Sequence, residues 1–271
     1  MKARNAALRG SVAASAALVL GVASSAQAQG QPGAGLVMDG QWHFIAAPYI
    51  WFAGLKGDVS AKGVADIPID ESFSDVFSNL HFGFLGHFEG RKDRFGMATD
   101  IMYMDVHVPA AAGAPILGQL GLDATVKSAT VEGLGFYRVA TGGRTDNPAG
   151  LDVLIGARFY GMNTELNATL PSAGDVTSGK QTFTWVDGLI GLRFRVPLSS
   201  RVAFIGRGDV ATFGSKVTWN VEGDVAARLS KHWTAGAGWR HMSIDYDKAG
   251  TERKLFNLAY DGPRTWASYA W

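Results

Sequence analysis

The stretch QTFTWVDGLIGLRFRV, residues 181–196, alternates in chemical character. A β-strand turns successive side chains to opposite faces. Val186, Ile190, Leu192, Phe194 and Val196 therefore share one face, and Asp187, Arg193 and Arg195 the other. The run is longer than the roughly 9–11 residues that a tilted membrane strand needs, and far longer than the five or six or so usual in soluble sheets. An arginine facing lipid at mid-depth costs ~2–4 kcal/mol, so in a membrane the charged face must point inward. A soluble sandwich would bury the apolar face instead and set the charges in water.

The same period-two pattern recurs along the chain. The segments are Trp42–Leu55, Phe82–Arg91, Arg94–Val108, Leu122–Val139, Leu151–Ala168, Gln181–Val196, Val202–Phe213, Lys216–Leu229, His232–Tyr246 and Lys254–Trp271. In Phe82–Arg91, Phe82, Phe84 and Phe88 oppose His87, Glu89 and Arg91. In Lys216–Leu229, Trp219, Val221, Val225 and Leu229 oppose Asn220, Glu222, Asp224 and Arg228. Mostly tight turns (Gly90–Asp93, Ala140–Gly150, Pro197–Arg201, Ser230–Lys231) alternate with mostly longer connections (Lys56–His81, Pro109–Gly121, Thr169–Lys180, Gly214–Ser215, Asp247–Arg253). Short turns at one end and longer loops at the other mark outer-membrane barrels. The fold class predicted is all-β: a closed antiparallel transmembrane barrel of about ten strands. Eight or twelve remain open, because the long first loop has room for a hairpin.

Composition agrees. The chain has 271 residues, no Cys, 35 Gly, 8 Trp and a formal net charge of +1. Without cysteine an exported fold has no disulfide to rely on, and the near-zero charge excludes the basic field of a nucleic-acid binder. Lys2, Arg4 and Arg9, the apolar run Val12–Ala23 and Ala26-Gln27-Ala28 form a secretory signal peptide over residues 1–28, with cleavage expected after Ala28. Residues 29–40 read as a flexible periplasmic lead-in, and 41–271 as the barrel. Tyr269 and Trp271 place aromatics at the end of the last strand as a C-terminal assembly signal, implying outer-membrane lipid, periplasmic chaperones and the barrel assembly machinery as partners during biogenesis. Pro263 cannot donate to a ladder and calls for a bulge.

Several motifs resemble a known family. They are Pro48-Tyr49-Ile50-Trp51 followed by Gly54-Leu55-Lys56-Gly57, and Phe73-Ser74-Asp75-Val76-Phe77 leading into Phe82 to Glu89. Trp185-Val186-Asp187 through Gly191-Leu192-Arg193, then Pro197-Leu198-Ser199, then Arg207-Gly208-Asp209 complete the pattern. Together they resemble the uncharacterised Gram-negative outer-membrane β-barrel proteins labelled porin-like. The resemblance spans nearly all of the mature chain. It implies fold and location, and brings no substrate, cofactor or catalytic residue.

The inward faces collect the acids Glu89, Asp100, Glu132, Asp152, Asp187, Asp209, Glu222 and Asp224, and the bases Arg91, Arg138, Arg158, Arg193, Arg195, Arg207, Arg228 and Arg240. Every base is Arg, whose planar fork bonds several carboxylates at once. A conducting pore would more naturally carry an excess of one sign, and barrels near eight strands are filled by their own side chains. Two readings stay open: a salt-bridge network that holds the barrel's shape, or a narrow gated path for small solutes.

In the first loop, Ser72 or Ser74 can cap a short helix. Its apolar stripe Phe73, Val76, Phe77 and Leu80 either plugs the mouth or lies over the rim. Adhesion through the loops is a further possibility. A barrel enzyme ranks last: there is no Gly-x-Ser-x-Gly or His-Glu-x-x-His motif, and only Asp105 with His107 offers an acid–base pair. Gly133-x-Gly135 and Gly236-x-Gly238 have no following helix to cradle phosphate and are expected to relieve crowding at bends in the barrel wall. No metal or cofactor is implied.

Overall fold

A computed structural model describes residues 38–59, 67–110, 121–143, 146–170, 174–248 and 254–271. The signal peptide and most of the lead-in lie outside these residues, as does most of the loop expected over Pro109–Gly121. The described chain forms β1 (Trp42–Trp51), β2 (Gly54–Val59), β3 (Ile67–Glu71), helix α1 (Phe73–Ser78), β4 (Leu80–Lys92), β5 (Phe95–Ala110), β6 (Gly121–Gly143) and β7 (Pro148–Leu170). It continues with β8 (Gly174–Pro197), β9 (Val202–Thr212), β10 (Val217–Arg228), β11 (Trp233–Lys248) and β12 (Lys254–Ala270).

Each strand from β4 to β12 pairs antiparallel with the next, and β1 closes the ring by pairing with both β4 and β12. Ten strands therefore make the barrel. Phe44 and Trp271 exchange both backbone hydrogen bonds at 3.1 Å, so the last residue of the chain is part of the closing seam.

The first loop does hide a hairpin. β1 follows β4 only from Trp42↔Lys92 to Pro48↔Gly86. Pro48 has no N–H to continue a ladder, and the two strands separate there. The chain stays on β12 through Phe52 N–H to Pro263 O (2.8 Å), and β2 then continues along β12 from Gly54↔Asp261 to Val59↔Phe256. β3 folds back on β2. Gly57 lies at φ +146°, with its missing Cβ only 2.0 Å from Asn257 O, so no side chain fits there. The Thr169–Lys180 loop expected from the sequence is mostly strand: β7 runs to Leu170 and β8 starts at Gly174.

Burial alternates along the strands, and the outward set is free of charge over a continuous belt. On β8 that set is Val186, Ile190, Leu192, Phe194 and Val196; on β5 it is Phe95, Met97 and Ile101; on β10 it is Trp219, Val221 and Val225. Aromatics gather at the tight-turn end, where Trp271 lies near Phe44 (6.0 Å), Phe88 (6.2 Å) and Tyr269 (6.2 Å), and Tyr269 meets Trp233 (5.2 Å). Such belts and girdles belong to transmembrane barrels.

The pattern inverts toward the loop end. On β8 the outward residues become Thr184 and Thr182, while Trp185 and Phe183 point inward and are buried. On β7, inward Arg158 is followed by inward Tyr160 and Met162, with Asn163 and Glu165 outside. On β11, inward Arg240 is followed by Met242, Ile244 and Tyr246, with His241, Ser243 and Asp245 outside. These three strands thus leave hydrocarbon for water at the place where their apolar side changes face.

This boundary sets a depth-dependent expectation. Ile190→Arg, in mid-belt, should cost ~2–4 kcal/mol, whereas Thr184→Arg, beyond the inversion, should cost about 0–1 kcal/mol. Urea unfolding of the protein in lipid vesicles reads the difference.

Candidate functional site: the lumen

The inward charges assemble into three connected groups. In the first, Asp152 is the hub. Arg138 binds it through Nε and, at 3.0 Å, through Nη2; Arg193 donates from Nη2 at 2.9 Å and Nε at 3.1 Å; Arg91 donates at 3.3 Å. Glu89 accepts from Arg193 Nη1 at 2.5 Å and from Arg91 at 3.3 Å. Phe136 lies over Gly96, where any Cβ would strike its ring, and both Arg193 (4.5 Å) and Arg91 (4.8 Å) stack on it. Small and aromatic residues on neighbouring strands thus create the platform that holds two guanidinium groups side by side.

In the second group, Arg158 Nη2 donates to Glu132 Oε2 at 2.5 Å and to Asp209 Oδ1 at 2.7 Å. Arg207 Nη2 stands 2.8 Å from both Glu132 Oε1 and Asp209 Oδ2. Asn220 adds a 3.1 Å bond to Asp209.

In the third, Arg264 donates to Glu222 Oε2 at 2.6 Å and clasps Asp224 through Nε (2.9 Å) and Nη2. Arg240 donates to Asn220 Oδ1 at 2.8 Å and to the Tyr49 hydroxyl at 3.2 Å, lies over the Trp51 ring, and stands 3.8 Å from Asp100. The Tyr49 hydroxyl donates to Asp100 at 2.8 Å. His87 stands between groups, 3.7 Å from Glu89 and 3.6 Å from Asp100.

Three residues expected in this network do other work. Asp187 holds the β9–β10 turn: it accepts from Gly214 N–H (2.9 Å), Ser215 N–H (2.8 Å) and Ser215 Oγ (2.8 Å). A buried carboxylate satisfied by turn amides has no need of a guanidinium. Arg195 and Arg228 lie at the tight-turn end. Arg195 donates to Asn147 Oδ1 at 2.5 Å, and Arg228 to the Ser200 carbonyl at 2.7 Å, so both brace turns. Arg264 was missed by the sequence reading, although its parity, opposite to Tyr269 and Trp271, marks it as inward.

Toward the loop end the lumen turns apolar. Tyr160, Met242 and Ile244 are fully buried, among Met162, Phe183, Phe256 and Tyr260. Trp185 stacks between Tyr160 (4.6 Å) and Tyr246 (4.4 Å). Periodicity alone did not foretell this layer.

Helix α1 starts at Ser72 with a reciprocal capping box to Asp75. It packs against β2 and β3: Phe73 lies edge-on against Phe52 at 4.8 Å, Val76 is buried, and Phe77 is 59% exposed. Leu80 belongs to β4, not to the helix. Asp105 pairs with Lys127 at 3.0 Å, while His107 bonds Thr125 at 3.1 Å and stacks on His81. Of the two glycine pairs only the second relieves crowding: Gly236 lies beneath the Trp266 indole and Gly238 sits against Gly223 O and Asp224, whereas a Cβ at Gly133 would meet nothing within 4 Å and one at Gly135 only Gly96 O at 4.0 Å.

No protein-family model matches the chain, and no curated protein matches it by sequence. Among solved structures, it is similar to the attachment invasion locus protein Ail of Yersinia pestis (11% identity, TM-score 0.33, 85% of this chain and 98% of Ail). It is also similar to the translocator domain of the autotransporter NalP from Neisseria meningitidis (13%, TM-score 0.40, 84% and 88%) and to a Pseudomonas aeruginosa FadL homologue (9%, TM-score 0.29, 86% and 90%).

Removing the hub charge tests the network. Asp152→Asn removes the charge that three guanidinium groups share in a buried site, leaving Arg193 and Arg91 only Glu89, and should destabilise the barrel by about 3–5 kcal/mol. Asp70→Asn, at the exposed Lys56–Asp70 pair, should stay within about 0.5 kcal/mol. Urea midpoints of the refolded protein compare the two.

Proposed function

We propose that this chain is an integral outer-membrane barrel whose lumen is sealed, and that it acts as a structural element of the envelope rather than as a conduit. The observation that carries the reading is the double closure. A cross-linked ionic layer occupies the lumen within the belt, and a stacked aromatic layer with fully buried Tyr160, Met242 and Ile244 occupies it beyond. A permeating ion would have to break charge-assisted bonds in the first layer and shed its water in the second. In this reading the cleaved signal peptide and the terminal Tyr269 and Trp271 deliver the chain through periplasmic chaperones to the assembly machinery, and membrane lipid is its permanent partner.

A second reading, surface binding, draws on one specific feature. β6, β7 and β8 continue past the inversion as a projecting sheet, and beyond Gly188↔Thr212 the β9-facing edge of β8 has no paired strand among the described residues. Such an edge is a template for an added strand.

Planar-bilayer recording separates a sealed barrel from a pore. The refolded protein should add no discrete conductance steps, and Trp185→Ala should remain silent because the ionic layer still blocks the path. Reproducible steps in the wild type that change with Arg193→Gln would establish passage instead.

A further inference from the structure

On the lipid-facing wall, at the level where the strands invert, an ionisable pair faces outward instead of into the lumen. His241 on β11 and Asp261 on β12 are directly opposed, and His241 Nδ1 lies 2.8 Å from Asp261 Oδ1. Trp239 Nε1 donates to the same oxygen at 3.1 Å. The Trp219 indole stacks on the imidazole at 4.5 Å and 25°. The two side chains of the pair are 29% and 51% exposed, and both tryptophans are exposed as well.

We infer that this pair is a headgroup site for a membrane lipid carrying a phosphoethanolamine group. Asp261 Oδ1 is fixed by two N–H donors and the imidazole by a ring stack, so the site is rigid before anything binds. Among the described residues, Asp261 Oδ2 and His241 Nε2 make no hydrogen bond. They leave one acceptor and, in the imidazolium form, one donor, side by side at headgroup height. An ammonium donates to the carboxylate, and a phosphate oxygen accepts from the imidazolium, which matches the charges of that headgroup in one molecule.

Toward the tight-turn end, the outward residues of the same two strands are Ala235, Ala237, Thr265 and Ala267, a shallow lane ending at Trp233 and Tyr269. An acyl chain fills such a lane, and the tryptophans bracket the polar–apolar junction, where indoles sit by preference. The rim ion pairs Lys56–Asp70 and Lys127–Asp105 carry no stacked tryptophan among the described contacts.

The inference rests on the membrane reading above, and the test separates the two. The mature chain is refolded into vesicles of equimolar phosphatidylethanolamine, phosphatidylcholine and phosphatidylglycerol. Folded barrels, identified by heat-modifiable migration, are extracted in mild detergent and weighed by native mass spectrometry. Phosphatidylethanolamine should be retained over the other two by about tenfold, the worth of one charge-assisted hydrogen bond. Asp261→Asn should erase its advantage over phosphatidylcholine, and His241→Gln should lower retention of all three lipids; Asp70→Asn should change nothing. Equal retention of the three lipids, selectivity that survives both site variants, or a lipid-free dimer occupying this face would overturn the headgroup site while leaving the barrel intact. Failure to insert at all would overturn the membrane reading itself.

Discussion

A guanidinium cannot face hydrocarbon, and most of this molecule follows from that constraint. Within the belt the outward residues are Val, Ile, Leu, Met, aromatic and small residues, so every charge that the strands carry at that depth is driven inward. Once inward, the charges are out of bulk water and must satisfy one another. Asp152 gathers three arginines, and Arg158 and Arg207 share Glu132 and Asp209. The lumen is filled because the outside is apolar.

Beyond the lipid the constraint relaxes and the opposite one applies. A sheet with water outside needs an apolar inside, and the strands provide it by reversing their pattern within two or three residues. Arg240 gives way to Met242, Ile244 and Tyr246, and Arg158 to Tyr160 and Met162. The aromatic layer at the loop end is therefore the core of the projecting sheet, built on the same strands as the membrane wall.

Much of this was legible in the sequence. Period-two alternation sorted Val186 from Asp187 and Phe88 from Glu89, and strand length pointed to a membrane rather than a sandwich. Arg264 was legible too, from its parity with Trp266 and against Tyr269, yet it sits beside Pro263, which drew attention to backbone rather than side chain. The inverted layer was harder to see, because a single expected face for each strand hides a change of solvent partway along it. The turn role of Asp187 was hard to read because two of its partners are the backbone amides of Gly214 and Ser215, and amides carry no residue-type signal. The long first loop left room for the β2–β3 hairpin, and Pro48 marks where β1 parts from β4.

The seam between β1 and β12 has a consequence for the order of events in assembly. Its bonds join the two extremes of the barrel sequence, Phe44 with Trp271 and Ile45 with Ala270. Neighbouring hairpins can zip as soon as each is made, but this ring cannot shut until the very last residue has emerged. Until then both terminal strands present open edges. A chain cut short by its last five residues would lose the seam pairings of Phe44, Ile45 and Ala46 and would have to close on those of Tyr49, Ile50 and Trp51 alone.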